Sequence, residues 1–134
     1  MTDTLSLLQE FHRDKLSDVL RHQANARRVG QYDSNNTYQY VINREEVQLS
    51  WLARAIQDLG GAIDPAAATS DVDGTGTPFD EDARRAQVFL DKWTSRVAAM
   101  RHARHQKMLG VILGEVQEQR RFFEQAREGR THLL

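Results

Sequence analysis

The sequence predicts an all-α protein, a bundle of four helices, and three observations carry that reading. Both prolines, Pro65 and Pro78, fall in one region, and long stretches elsewhere are free of breakers. In those stretches apolar residues recur at intervals of three and four, the period of a helix with one buried face. The length, 134 residues, suits one domain (1–134) with a single core, and a hydrophobic content of 40% is enough to build it.

The elements follow in order. Helix 1 is expected from about Thr4 to Val29, with Leu5, Leu8, Leu16, Val19 and Ala26 on its inner face and Gly30 as its terminator. Asp33 or Ser34 can cap helix 2, because a short side-chain oxygen accepts from the free amides of a first turn. Helix 2 carries Tyr38, Val41, Ile42, Leu49, Leu52, Ile56 and Leu59 and stops at Gly60–Gly61. The stretch AIDPAAATSDVDGTGTP then reads as a long connection without structure of its own. Helix 3 begins near Phe79, with Asp80, Glu81 and Asp82 in the first turn, where the helix dipole favours acids. Its inner stripe is Ala83, Ala86, Leu90, Trp93, Val97 and Met100. A single helix from Phe79 to Arg127 would be about 75 Å long, twice what helices 1 and 2 can cover. A break is therefore expected near Arg101–His105. Helix 4 runs from about Gln106 to Arg127, with Met108, Val111, Ile112, Glu115, Phe122 and Ala126 facing in.

Composition removes several function classes. The net charge of −1 offers no basic face for nucleic acid. Basic clusters such as Arg101 to Lys107 are interspersed with acids and read as solvated helix faces. With no cysteine, disulfides and thiolate metal sites are excluded, and the cytoplasm is the expected compartment. No apolar run is long enough to span a membrane, and MTDTLSLLQEFHRD does not read as a signal peptide. Ser50 and Thr94 have no local histidine, so nucleophilic catalysis finds no support. The segment around Gly74–Gly76 lacks the lysine and strand of a phosphate loop. DVDGTG, Asp71 to Gly76, echoes the start of a calcium loop but has too few carboxylates. His102 and His105, three apart, are two ligands without a third.

One feature of helix 2 is out of pattern. Stepping back from Leu59 through Ile56, Leu52 and Leu49 or Gln48 reaches Glu45, an acid in the apolar stripe. Stepping back from Phe122 in helix 4 reaches Glu118 or Gln119 and then Glu115. A lone buried carboxylate costs several kcal/mol unless it is neutralised, paired or bound to metal. Lys15 in helix 1 is a candidate partner.

These runs resemble a known family. EEVQLSWLARAIQDLGG is similar to the second helix of ferritins, bacterioferritins and rubrerythrins: Glu45, Gln48, Leu52, Ile56, Gly60 and Gly61 follow its ladder, with Gln48 where that family has histidine. VILGEVQEQRRFFEQ is similar to its fourth helix, with Glu115 in the glutamate place and Glu118 in the histidine place. The resemblance implies a ferritin-like up-down-down-up bundle, in which a long 2–3 connection crosses its length. It also implies a metal site at Glu45, Gln48, Glu115 and Glu118, with His12 at the inner position of helix 1. The family's two remaining glutamates do not carry over: inner positions Ala86, Leu90 and Trp93 of helix 3 are not ligands, and Asp82 sits near the helix start.

The leading expectation is thus a degenerate site with no resident cofactor, in a non-catalytic structural or interaction module. The alternative is an iron- or manganese-binding oxidoreductase or storage relative with a single divalent ion on a carboxylate site. A hemerythrin-like oxygen binder would need several inward histidines, and only His12 is so placed. Trp51 and Phe123, beside the inner stripes, point to a homodimer. No nucleic-acid or membrane partner is expected.

Overall fold

A computed structural model describes residues 3–30, 32–63 and 77–128, and of residues 32–34 the backbone alone. All regular structure among them is helical: α1 (Thr4–Arg28), α2 (Tyr32–Asp58), α3 (Pro78–Ala98) and α4 (Ala103–Arg127), with no strand. This is a four-helix bundle. No helix is long and apolar enough to cross a membrane among the described residues. Residues 64–76, which include Pro65 and the DVDGTG segment, lie outside them.

The helix ends follow local chemistry. Asp3 caps α1 by accepting from the Ser6 amide at 3.1 Å. The other end stops at Arg28, not through a left-handed glycine: Val29 is extended, and its N–H donates to the Ala26 carbonyl. Gly30 therefore lies beyond the terminus and does not make it. α2 begins at Tyr32, ahead of both residues expected to cap it. At its C-terminus the double glycine has two separate reasons. Gly60 adopts φ +82°, which a side chain disfavours. The Gly60 and Gly61 amides donate to the carbonyls of Gln57 and Ile56, the paired bonds that close a helix of this kind. A Cβ on Gly61 would stand 2.5 Å from a methyl of Leu5, so a larger residue there would have to displace that side chain of α1. Thr77 caps α3, whose first residue is Pro78. The break between α3 and α4 falls at residues 99–102, slightly earlier than length matching places it, and His102 caps α4.

The most extensive contacts are α1 with α2 and α3 with α4; α1 also meets α3, and α2 meets α4. One apolar cluster joins Leu8, Phe11, Leu52, Ile56, Leu90, Trp93, Leu109 and Ile112. Within it the edge of Phe11 packs on Trp93 at 4.8 Å between centroids. Full burial of such side chains contributes about 1.5–3 kcal/mol each. A second cluster holds Ala26, Tyr38, Val41, Ile42, Ala83 and Phe123. Along α1 the two are separated by buried polar residues from His12 to Asn25.

The inner face of α4 differs from expectation by about one residue of rotation. His105, Leu109, Ile112, Val116, Gln119, Phe123 and Ala126 are buried. Val111 is 48% exposed, and Phe122 is only half-buried. The reason is the adjacent pair Phe122–Phe123: a helical ladder can be hung from either, and packing selects Phe123, which is fully buried. Phe123 is thus core and not part of an exposed face. Leu59, expected inside, is 39% exposed beside the terminating glycines. Two glycines, Gly110 and Gly114, stand mid-helix on the solvent side of α4, with open space where a Cβ would be. Each costs the helix about 1 kcal/mol relative to alanine.

Candidate functional site

The out-of-pattern acid of α2 is fully buried, and so are its partners. Lys15 reaches across from α1 and its Nζ donates to Glu45 Oε2 at 2.8 Å; both side chains have no exposed surface. Glu45 Oε1 lies 2.6 Å from Nδ1 of His22, two turns further along α1. Both carboxylate oxygens are therefore taken, each by a different group of α1.

The network continues into α3. The far nitrogen of His22, Nε2, faces Asp82 Oδ1 at 3.6 Å, an electrostatic contact rather than a hydrogen bond. Arg21 Nε donates to the same oxygen at 2.7 Å, while its Nη1 donates to Asp18 at 2.9 Å. The second oxygen of Asp82 accepts from Tyr38 Oη at 2.6 Å and from Asn25 Nδ2 at 3.0 Å. Asn25 also donates to Glu81, which Arg28 approaches at the rim. The buried acids are Asp18, Glu45, Glu81 and Asp82; facing them are Lys15, Arg21, His22 and Arg28. With a carboxylate oxygen at each of its ring nitrogens, His22 is placed to carry a proton on both.

Titration behaviour agrees with that state. Burial works against a charge on His22, but Glu45 and Asp82 outweigh it and raise the imidazole pKa. Burial likewise pushes the Glu45 carboxyl up, yet His22 and Lys15 override it and hold it at about 2. Burial and the neighbouring Asp82 keep the Tyr38 phenol far above its usual value, so it remains a donor. His22 also packs its ring on Phe123 of α4, at 5.3 Å between centroids, which closes the site on that side.

Of the residues expected as metal ligands, Gln48 lies beside Glu115, but Glu118 and His12 do not join them. Glu45 and Gln48 lie inside α2. Glu115 stands at the α2–α4 seam, where both oxygens accept from Arg44 at 2.9 and 3.0 Å. Arg44 also holds its carboxyl pKa below the usual range. Glu118, the counterpart of the family histidine, is exposed and paired with Arg121 at 2.7 Å. This follows from the rotation of α4, which turns 115 to the seam and 118 to solvent. His12 is buried one turn before Lys15, and burial lowers its pKa. Gln48 is fully buried, and neither its oxygen nor its nitrogen makes a hydrogen bond of ordinary geometry. It does lie near enough to Glu115 to help keep that carboxyl low.

Sequence reasoning missed Asp18, Arg21, His22, Asn25 and Tyr38, and set Asp82 aside as too near its helix start. Asp82 is fully buried in the network, because the C-terminal half of α1 crosses the first turn of α3. A signal was present in α1. Phe11, Lys15, Asp18, His22 and Asn25 are spaced four, three, four and three, the spacing of one helix face. That face turns from apolar to polar after Phe11.

Against this geometry the metal pair of the family does not fit. Every oxygen of Glu45 and Asp82 already accepts from a cation or a donor of the chain. A divalent ion near Glu45 would meet the charge of Lys15 and of protonated His22. Among the described residues no three His, Cys, Asp or Glu side chains are grouped to hold a metal ion. No family model matches the chain, nor does any curated protein or solved structure match it significantly.

Proposed function

We propose that the chain is a ferritin-like bundle whose inner site is filled by its own cations. In this reading it serves as a non-catalytic structural or interaction module of the cytoplasm and associates as a homodimer. Lys15 and His22 take the place that metal ions hold in that family. The observation that carries the reading is the fully buried Glu45 with Lys15 on one oxygen and His22 on the other. Such a centre fixes how helices meet, since its ion pairs form only in one register.

The up-down-down-up order has support from cross-helix contacts. Glu10 of α1 meets Arg96 of α3, and Arg21 meets Asp82, so numbers rise on one helix as they fall on the other. Arg44 meets Glu115 and Tyr40 meets Phe122, the same opposition between α2 and α4. Asn35 bonds the Ala26 carbonyl and Gln9 that of Ala62, so α1 and α2 also oppose. Helices α2 and α3 then run the same way, as they do in the ferritin-like order.

Elemental analysis of protein purified without chelator, before and after iron loading, tests the reading. The expected result is no bound transition metal in either sample. About one or two ions per chain, lost on Glu45→Ala, would overturn it in favour of the iron- or manganese-binding alternative.

A further inference from the structure

The inner face of α4 is fully used by the bundle, but its outer face has features the bundle does not explain. Lys107, Val111, Gly114 and Glu118 are spaced four, three and four, so they form one stripe, and all four are exposed. Val111 is a large apolar side chain 48% exposed. Gly114 has nothing within 4 Å of the place where a Cβ would stand, so no contact among the described residues requires glycine there. Lys107 makes no ion pair among the described residues, and Glu118 holds only Arg121 of its own helix, 57% exposed. On α2, beside this stripe, Val47 is 41% exposed and Trp51 is half-buried.

The stripe is complementary to itself when reversed. A two-fold axis midway between positions 111 and 114 sets Val111 opposite Gly114 of a second copy and Lys107 opposite its Glu118. Each contact then occurs twice, as a two-fold interface demands. The missing side chain at 114 becomes the hollow that receives the Val111 methyls and lets two helix backbones approach closely. Unlike charges flank this centre on both sides, and one turn further out the exposed Arg104 faces Arg121, while a parallel pairing would set every charge of the stripe, Lys107 included, against its own copy. We propose that this face of α4 is the homodimer interface, with α4 antiparallel to α4 of a second copy and Val47 and Trp51 on its rim. The inference rests on the homodimer reading above and adds the surface.

Sedimentation velocity of the full chain over a wide concentration range tests it, with far-UV circular dichroism melts to confirm folding. The wild type is expected to be a reversible dimer. Lys107→Glu and Glu118→Lys should each weaken association by about 100-fold or more, since each sets like charges opposite at two places. The double variant Lys107→Glu/Glu118→Lys should restore it. Gly114→Arg should abolish the dimer while the melt stays at or above that of wild type, because arginine is the better helix former. A dimer that survives all of these substitutions overturns the interface and leaves the homodimer reading standing. A wild type that is monomeric at every concentration overturns both.

Discussion

Replacing Lys15 by methionine removes one buried charge and little volume. The Lys15–Glu45 pair has a separation of 2.8 Å and no exposed surface on either side chain. At an effective dielectric of about 20 the attraction across that distance is about 6 kcal/mol. Taking the two ions out of water costs several kcal/mol each, so the intact pair contributes little net stability. Removing one partner is different, because the desolvation of Glu45 is then offset by His22 alone. Breaking a buried pair in this way costs about 3–5 kcal/mol. For a chain of this size that lowers the melting temperature by roughly 10–20 °C. Urea unfolding at pH 7, followed by circular dichroism, measures the loss. The companion variant Lys15→Met/Glu45→Gln removes both charges and keeps an acceptor for His22. It should lie within about 2 kcal/mol of wild type, giving a coupling of about 2 kcal/mol or more between the sites. If Lys15→Met costs less than about 1 kcal/mol, or if the double variant loses the sum of both single losses, Glu45 is not held by Lys15.

Other expectations follow from the same network. The folded-state pKa of His22 is raised, so its contribution is fully present below the usual histidine value and fades as pH rises through the folded value. Burial depresses His12 and His105, which therefore act in the opposite sense, losing stability as pH falls below that value. The difference in unfolding free energy between wild type and His22→Gln should accordingly shrink as pH rises from 6.5; a difference that grows instead contradicts a protonated His22. Glu45 sits at about 2, so its contribution is present above the ordinary carboxylate value and is lost in acid. Acid unfolding of Glu45→Gln should be less steep below about pH 4.5 than that of wild type. Gln48→Leu removes two buried polar atoms that lack hydrogen bonds and should raise stability by about 1–2 kcal/mol in urea titrations; a loss would mean that the amide has a bound partner. Gly60→Ala forces a side chain into φ +82° and should cost about 1–2 kcal/mol in thermal melts, whereas an unchanged melt would refute that reason for the glycine.

Much of the fold was legible because it rests on local chemistry. The helix period, the double glycine and the proline region mark α1 to α4 to within a few residues, and the inner place of Glu45 follows from its spacing to Leu52 and Ile56. Lys15 was legible as a partner for the same reason. The site's remaining members were not, because their grouping depends on which turns of different helices cross. Asp82 looks like a first-turn acid facing the dipole until the end of α1 is laid over it. Rotation of α4 was ambiguous in sequence, since Phe122 and Phe123 anchor two ladders 100° apart and only packing against His22 and Tyr38 selects Phe123. That choice puts Glu115 at the α2–α4 seam and Glu118 in solvent.

The most direct measurement is the protonation of His22, read from long-range ¹H–¹⁵N correlations of its ring at neutral pH. With the chain's own cations neutralising Glu45, both ring nitrogens should carry protons, and the signals should be unchanged when manganese is added. A neutral ring with one bare nitrogen, or selective broadening of its signals by the metal, would contradict the replacement of metal ions by Lys15 and His22.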